Sequence, residues 1–365
     1  MKALQIYQKL GSKLSGGIQV YNRNRSCLEH YFGEGNVYEY AVMRKGSRFS
    51  LKKLTGPLFG LYFCGLDKLD KIKIVQNIKD KHIDLVLVES SLFGSLIVYI
   101  KEQCPNVKVI SFFHNVEYDF QKSELNCFKW LVLGWQNPFI KKSESITLQY
   151  SDASIALHRR DSERLLNLYG TQPAFEIPIT LKDTQNNLIH SSEYHNPLRL
   201  LFFGSNFPAN IKATDILVNE ILPHVNVELR IAGSGMNRIM GRYNNDCVQI
   251  EGFVDNLGEM YEWADVVVLP IYTGAGMKVK VAEALQYGKN IISSTDALVG
   301  YDVDSIKGVI SCNDVKGFIE SINKFDVSLP RFNMSGRALY EKKYSYEASY
   351  KLFGEIFDKL IKQSR

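Results

Sequence analysis

The chain has 365 residues, a length typical of two domains rather than of one core. Hydrophobic residues make up 45% and charged residues 23%, as in ordinary folded domains, and no stretch approaches the roughly 20 apolar residues that span a bilayer. The six cysteines include no Cys-x-x-Cys pair, which argues against a disulfide framework and against a zinc site.

The net charge of +5 is unevenly distributed. Residues 1–195 carry 25 Lys and Arg against 19 Asp and Glu, whereas the remainder carries 19 against 20. Basic residues near the N-terminus supply much of the excess: Arg23, Arg25, Arg44, Lys45, Arg48, Lys52 and Lys53. Together with the apolar runs at 59–66 and 127–135, they predict contact with an anionic membrane surface. The alternative is that the basic residues are solvated and the apolar runs belong to the core.

The N-terminus lacks a charged-then-apolar signal segment. We therefore expect a cytoplasmic protein, with peripheral attachment to the inner face of the cytoplasmic membrane if the basic residues contact lipid.

In the first half, apolar runs of strand length alternate with segments of helical periodicity. Strands are predicted at residues 83–88, 107–113 and 153–157, and helices at 92–103 and 160–169. Short apolar runs separated by helices are typical of a parallel sheet with helical crossovers.

The alternation stops after Pro178 and restarts later. Residues 182–196 have little to bury, which predicts an interdomain linker. The second half has predicted strands at 198–203, 227–232, 248–251, 266–269 and 290–293, and helices at about 211–222, 256–263 and 277–287. Residues 331–362 are predicted to be mainly helical. Two runs of βαβ units predict an α/β fold of two doubly wound, Rossmann-like domains.

The expected domain division has four parts. They are an N-terminal domain (1–182), a linker (183–197), a C-terminal domain (198–340) and a C-terminal helix that packs back toward the first domain (341–365).

Residues 269–288 are the most informative segment for function, because they are predicted to join a buried strand to a helix through a glycine-bearing loop. Backbone N–H groups and the positive end of a helix then lie at the carboxyl edge of a parallel sheet, where they favour phosphate. Gly274 and Gly276 let a ligand approach the backbone.

Lys280 and Glu283 are three residues apart, so they share one face of this predicted helix. Lys280 can neutralise a diphosphate, and Glu283 can accept hydrogen bonds from a ribose diol. Lys278 is a second candidate cation. The alternative is a solvated amphipathic helix without a ligand.

This segment resembles the donor-site helix of the family-4 retaining glycosyltransferases, which have the GT-B fold. It is similar to their bacterial branch, whose loop reads Gly-Gly-Gly-Thr-Arg-x-Lys-x-x-Glu-Ala. Other stretches resemble that branch in the same order: 113–118 (its His-Asn-x-Glu segment), 201–212, 231–235, 251–256 and 264–270. The resemblance is strong from 198 to 296 and looser before 110. It implies two Rossmann-like domains that face each other across a cleft, the first for the acceptor and the second for a nucleotide sugar.

The resemblance also implies a set of site residues. The catalytic residues are His114, which contacts the donor sugar, with Lys280 and Glu283. The donor-binding residues are Gly16, Gly17, Gly204, Ser205, Lys212, Gly233, Phe253, Val254, Gly274, Ala275, Gly276, Met277 and Lys278. Beside them, we expect Glu117 to orient local structure, and Glu89 is a weaker candidate for acceptor binding.

Three features depart from the family pattern. The first of the family's two glutamates falls on Ala275, so donor recognition must rest more on the backbone N–H groups of 275–277. Ser205 stands where arginine is usual, which makes Lys280, and to a lesser degree Lys278 and Lys212, more important. The first-domain glycine loop is reduced to the pair at 16–17.

Two other chemistries are disfavoured. Residues 231–238 lack the third glycine of a dinucleotide fingerprint, which argues against an NAD enzyme. No His/Cys cluster has the spacing of metal ligands. The resemblance implies catalysis without a metal or another cofactor.

The implied reaction is transfer of a hexose-type sugar from a nucleoside-diphosphate sugar to a glycan or lipid-linked glycan acceptor, with retention of configuration, in surface polysaccharide biosynthesis. No nucleic-acid partner is expected. Two alternatives remain open: a catalytically silent GT-B partner subunit, and a nucleotide-sugar epimerase or hydrolase of the same fold.

Overall fold

The structure is a computed structural model that describes residues 1–9, 16–43, 56–58, 60–124, 134–185, 193–243, 246–274 and 276–362. The chain divides into two compact units, Met1–Pro178 with Tyr346–Arg365, and Ile179–Ser345. Several residues named above lie outside the described ranges: Arg44, Lys45, Arg48, Lys52, Lys53, Phe59, Ala275 and the stretch 127–133.

The first unit is built on a parallel six-stranded sheet with the strand order β2-β1-β3-β4-β5-β6. The strands are β1 (Ala3–Gln8), β2 (Val37–Val42), β3 (Leu85–Val88), β4 (Lys108–Phe113), β5 (Ala153–Ala156) and β6 (Phe175–Glu176). The described helices of this unit are α1 (Gly16–Phe32), α2 (Lys68–Lys81), α3 (Gly94–Gln103), α4 (Glu117–Glu124), α5 (Asn137–Tyr150), α6 (Arg159–Tyr169) and α12 (Tyr346–Lys362).

Helices cover both faces of this sheet. On one face, Ile6 and Val88 share a buried cluster with Ile74 of α2 and Leu96 of α3. On the other face, α12 packs along α1, where the hydroxyl oxygens of Ser26 and Tyr350 are 2.6 Å apart. The first sheet is therefore enclosed by its own crossover helices and by the last helix of the chain.

The second unit contains another parallel six-stranded sheet, with the order β12-β11-β10-β7-β8-β9. Its strands are β7 (Leu198–Phe203), β8 (Val227–Ala232), β9 (Val248–Ile250), β10 (Val266–Leu269), β11 (Asn290–Ser294) and β12 (Val309–Cys312). Its described α-helices are α7 (Pro208–Asp215), α8 (Leu257–Trp263), α9 (Val279–Gln286), α10 (Val315–Asn323) and α11 (Met334–Leu339). The predicted α/β fold of two doubly wound units is confirmed.

Two differences between the predicted and observed helix bounds change which residues of the second unit are helical. The helix expected at 277–287 begins at Val279, so Met277 and Lys278 belong to the preceding loop. The helix expected at 211–222 begins earlier, at Pro208, because proline at the first helical turn needs no N–H partner. It then widens into a π-helical segment over Ile216–Ile221.

Two glycines let the ends of β7 and β8 touch. Gly233 has φ 147°, and a Cβ atom on it would lie 2.2 Å from the carbonyl oxygen of Gly204. The Gly204 N–H donates to the carbonyl of Ala232 (2.8 Å), and the Gly233 N–H donates to that of Gly252 (2.9 Å). The carboxyl ends of β7, β8 and β9 are thus joined by backbone hydrogen bonds that require the absence of a side chain at 233.

A buried carboxylate holds the start of α4. Glu144 of α5 accepts hydrogen bonds from the backbone N–H groups of Glu117 (2.9 Å) and Tyr118 (3.2 Å) and from the Tyr169 hydroxyl (2.7 Å). Burial, and after it the charge of Glu144, raises the pKa of Glu117 to about 7. Glu117 therefore lies beside the Glu144 carboxylate, whose oxygens are occupied by hydrogen bonds within the first unit.

We expect Gly233→Ala to lower the free energy of unfolding by about 2 kcal/mol or more, because the new methyl group overlaps the Gly204 carbonyl. Urea unfolding of the purified variant measures this. Gly241→Ala is the matched control, since a Cβ atom there meets nothing within 4 Å. Equal stability of the two variants would contradict the close approach of β7 and β8.

We expect Glu117→Gln to stabilise the protein by about 2 kcal/mol at pH 8 and to have little effect at pH 4.5. The folded-state pKa lies above the unfolded value of 4.5, so wild-type stability falls as pH rises from about 4.5 through about 7. Thermal unfolding at both pH values measures the difference. Asp119→Asn, on the same helix but in an exposed pair with Arg164, should give no such pH-dependent gain.

Candidate functional site

The order of strands in the second unit reverses between β7 and β10, which are hydrogen-bonded neighbours. At such a reversal, the loops that follow the two strands leave in opposite directions and open a crevice at the carboxyl edge, the usual place for a ligand in an open α/β sheet. Gly204 follows β7, and the predicted glycine-bearing loop of residues 270–278, called the donor loop below, follows β10. The sheet therefore brings these two segments to one edge.

The donor loop closes on itself through Lys278. Gly274 and Gly276 have φ angles of 101° and 70°, which side chains disfavour. The Lys278 ammonium donates to the carbonyls of Gly274 (2.7 Å) and Gly276 (3.0 Å). Because the Lys278 ammonium already donates to these two carbonyls, Lys278 stabilises the conformation of the loop. The remaining predicted member, Ala275, lies outside the described residues.

Lys280 reaches from the first turn of α9 to the end of β7. A Cβ atom on Gly204 would lie 3.0 Å from Cε of Lys280 and 2.8 Å from Cγ of Asn210, so glycine at 204 makes room for both. Burial lowers the pKa of Lys280, although the charge of Glu283 opposes the effect. Among the described residues, none hydrogen-bonds to its ammonium. A partly buried cation thus lies where the strand order reverses between β7 and β10, the switch point of this sheet.

Glu283 lies one turn further along α9 and is 7% exposed. Its Oε2 atom is 3.4 Å from the hydroxyl of Tyr261, which stacks on Tyr287 with ring centroids 4.2 Å apart. Burial, and after it the charge of Glu283, raises the pKa of Tyr261 well above its usual range. The tyrosine pair holds the carboxylate on the face of α9 that also carries Lys280.

The remaining predicted donor residues are placed differently. Phe253, after β9, is 63% exposed and offers a flat apolar surface, with Val254 partly buried beside it. Met277 is buried, and its sulfur accepts from the Ile179 N–H (3.4 Å), which leaves only its backbone for a ligand. Lys212 is exposed on α7, and no described contact joins its side chain to the donor loop. Ser205 is exposed immediately after Gly204.

In the first unit, the strand order reverses between β1 and β3. Gly16 and Gly17 open α1, the helix that follows β1. Glu89 directly follows β3, and His114 directly follows β4. His114 Nε2 lies 2.9 Å from Oε2 of Glu89, so the unit brings these two predicted residues into contact.

The sequence reasoning missed two amide residues at this site. Gln5 and Asn24, both fully buried, donate to the Glu89 carboxylate over 2.8 Å and 2.9 Å. The one available signal was polar residues inside otherwise apolar segments, Gln5 in β1 and Asn24 on the sheet-facing side of α1. The Glu89 carboxylate is already hydrogen-bonded to Gln5, Asn24 and His114, which disagrees with a direct role in acceptor binding.

Two residues of the predicted basic cluster are not on an open basic surface. Arg23 is fully buried, with its guanidinium 5.4 Å from the ring centroids of Phe112 and Phe353. Arg25 pairs with Glu29 (2.6 Å) and Glu39 (2.8 Å). The expectation of membrane contact or solvation was wrong for Arg23, because its guanidinium lies in the core, where two aromatic faces and the Pro178 carbonyl (3.0 Å) contact it.

Two features are absent from the described ranges. In them, no helix is both long enough and apolar enough to cross a bilayer. Nor do they bring three His, Cys, Asp or Glu side chains together in a group suited to a metal ion.

Comparison with known proteins shows that part of the chain is similar to one family. Residues 197–325 match the family model described as "Glycosyl transferases group 1". No curated protein matches the sequence. These 129 residues contain β7 through β12, Lys280 and Glu283, and thus the whole candidate site of the second unit.

Solved structures resemble the chain over almost its full length. Sucrose-phosphate synthase from Thermosynechococcus elongatus has a TM-score of 0.69 at 17% identity, with all of both chains covered. The lipopolysaccharide outer core galactosyltransferase WaaB has a TM-score of 0.67 at 15% identity, covering 98% of this chain and 100% of that one. Anabaena Alr3699/HepE in complex with UDP-glucose has a TM-score of 0.65 at 11% identity, with the same coverage. Together with the two parallel six-stranded sheets, these likenesses show that the chain has the GT-B fold.

Proposed function

We propose that the chain is a glycosyltransferase that moves a hexose-type sugar from a nucleoside-diphosphate sugar to a glycan or lipid-linked glycan. The observation that carries the proposal is Lys280, a partly buried ammonium at the switch point with no hydrogen-bond partner among the described residues. A diphosphate would supply the missing anion. Because this ammonium is desolvated, the attraction between the two charges would be stronger than at the protein surface.

Further observations support a nucleotide-sugar donor. The site lies within the segment that matches the group 1 glycosyltransferase model, and HepE, a structural neighbour, was solved with UDP-glucose. In this proposal Glu283 binds the ribose diol and the exposed ring of Phe253 stacks on the base. The carboxylate is held by Tyr261 at the same helix face as Lys280, as such a pair of contacts requires.

The proposed reaction retains the anomeric configuration and uses no metal ion. As the bond between sugar and phosphate breaks, negative charge grows on the leaving diphosphate. Lys280, the N–H groups of Gly276 and Met277, and the positive end of α9 would stabilise that charge. In this proposal His114 contacts the donor sugar. Retention by a front-face reaction is proposed from the family-4 resemblance.

The acceptor is proposed to be a growing surface glycan or its lipid-linked precursor on the cytoplasmic face of the membrane. Support comes from apolar side chains exposed in the first unit, Leu58 (57%), Leu69 (62%) and Ile72 (45%). Leu69 and Ile72 are three apart on α2 and share a face. A crevice of about 470 Å³, lined by Leu58, Lys71, Val98 and Phe139 among others, lies in the same unit.

We expect the protein to co-sediment with vesicles that contain phosphatidylglycerol, and Leu69→Glu/Ile72→Glu to reduce the bound fraction several-fold, because each carboxylate opposes insertion. Phosphatidylcholine vesicles control for non-specific binding. If wild type and variant remain in the supernatant alike, the membrane contact is wrong.

We expect one of UDP, GDP, ADP and CMP to raise the melting temperature, by an amount equivalent to about 2.7 kcal/mol at a hundredfold excess over Kd. Glu283→Gln and Lys280→Ala should weaken this stabilisation, because they remove the proposed ribose and diphosphate contacts. Lys316→Ala, in an exposed pair with Glu320 on α10, is the matched control. If no nucleotide stabilises the folded wild type at millimolar concentration, the proposed donor site fails.

Turnover with the matching sugar donor separates the alternatives. For Lys280→Ala we expect a fall in kcat of about 100-fold or more, the usual effect of losing one donor to a leaving oxyanion. A transferase consumes donor quickly only with acceptor, whereas a hydrolase or epimerase does so without one. Nucleotide binding without turnover over a broad panel of donors and acceptors would favour the silent subunit.

A further inference from the structure

The Glu89 carboxylate is hydrogen-bonded to three side chains of the first unit, which leaves little of it for a substrate. Asn24 Nδ2 lies 2.9 Å from both of its oxygens, Gln5 Nε2 lies 2.8 Å from Oε1, and His114 Nε2 lies 2.9 Å from Oε2. The side chain of Glu89 is only 2% exposed. A ligand therefore has almost no access to this carboxylate, whose contacts are all inside the first unit.

The directions of these hydrogen bonds are fixed by chemistry. Gln5 Nε2 also reaches the backbone carbonyl of Tyr21 (3.2 Å), which can only accept, so the amide nitrogen of Gln5 must point this way. The amide N–H groups of Gln5 and Asn24 converge on the two oxygens of Glu89, an arrangement that favours an ionised carboxylate. An ionised carboxylate only accepts hydrogen bonds, and the proton between Glu89 and His114 therefore belongs on Nε2 of the imidazole.

The orientation of the Gln5 and Asn24 amides toward Glu89 costs free energy, which a purely structural contact would not explain. Gln5 Oε1 and Asn24 Oδ1 are buried, and neither has a hydrogen-bond partner among the described residues. Leaving buried acceptors unpaired is unfavourable, and native proteins rarely do so without a reason. Here both amides turn their N–H groups toward Glu89 and leave their oxygens unpaired.

The other ring nitrogen of His114 is available. The imidazole is 21% exposed, and none of the described residues hydrogen-bonds to Nδ1. With the proton on Nε2, Nδ1 carries a lone pair and can only accept. It would suit an O–H group of a sugar and would repel the oxygens of a phosphate.

We propose that Glu89 is a positioning residue that, together with Gln5 and Asn24, holds His114 as the Nε2–H tautomer so that Nδ1 accepts a hydrogen bond from a hydroxyl of the sugar substrate. The last step rests on the proposed glycosyl transfer, whereas the tautomer does not. Glu89 thus acts through His114 and does not touch the acceptor.

The test is a long-range ¹H–¹⁵N spectrum of the full chain with ¹⁵N-labelled histidine at pH 8, in which His114→Asn identifies the signals of His114. We expect a single Nε2–H tautomer in wild type. In Glu89→Gln we expect a mixture of tautomers, since a carboxamide can donate as well as accept. Glu117→Gln, the same substitution three residues after His114, is the matched control and should keep the wild-type tautomer.

Turnover provides the second readout. Glu89→Gln should lower kcat about tenfold or more while stabilisation by nucleotide, which depends on the second unit, stays unchanged. Asn24→Leu, of similar size, should lower kcat about threefold or more through the loss of one donor to Glu89. It also tests the proposal if Glu89→Gln does not fold.

The inference is overturned if wild-type His114 is an Nδ1–H species or a mixture, or if Glu89→Gln keeps both the tautomer and kcat within twofold. Should wild type transfer no sugar in any assay, the proposed function fails, and the tautomer spectra still decide the role of Glu89.

Discussion

Both units depend on one constraint, which is that all strands of a parallel sheet end at the same edge. Where the strand order reverses, two neighbouring strands send their following loops apart, and the residues after those strands face a common space. In the second unit this places Gly204 beside Lys280 at the ends of β7 and β10. In the first unit it places Glu89 after β3, against α1, which follows β1. The rest of each site is built on these placements.

Glycine makes the edge of the second unit possible. A side chain at 233 would overlap the Gly204 carbonyl, and one at 204 would displace Lys280 and Asn210. The backbones that follow β7 and β8 are thus in direct contact, with no side chain between them. This gives a long lysine room to cross from its helix to the neighbouring strand end. The same residues would leave space for a diphosphate next to the ammonium.

Most of the buried charges described above are compensated within the fold. Glu89 is surrounded by three donors, and Glu144 accepts two backbone N–H groups and a tyrosine hydroxyl, so both carboxylates are compensated within the fold. Arg23 is compensated by aromatic faces. The Lys280 ammonium lies 6.0 Å from the ring centroid of Phe202, but alone among these four charges it has no hydrogen bond from the described residues. That open hydrogen-bonding capacity distinguishes a candidate ligand site from internal structure.

The sequence by itself determined the architecture, because apolar runs of strand length and helical periodicity report which residues a sheet must bury. Strands 198–203, 227–232 and 266–269 were predicted with their observed bounds. Sequence spacing also placed Lys280 and Glu283 on one helix face. It could not tell which of Lys278 and Lys280 lacks a hydrogen bond from the described residues, since that depends on which carbonyls the folded loop presents. Nor could it find Gln5, Asn24 and Glu89 around His114, or the burial of Arg23. These contacts join residues up to 84 positions apart, and only the packing of α1 against the first sheet brings them together.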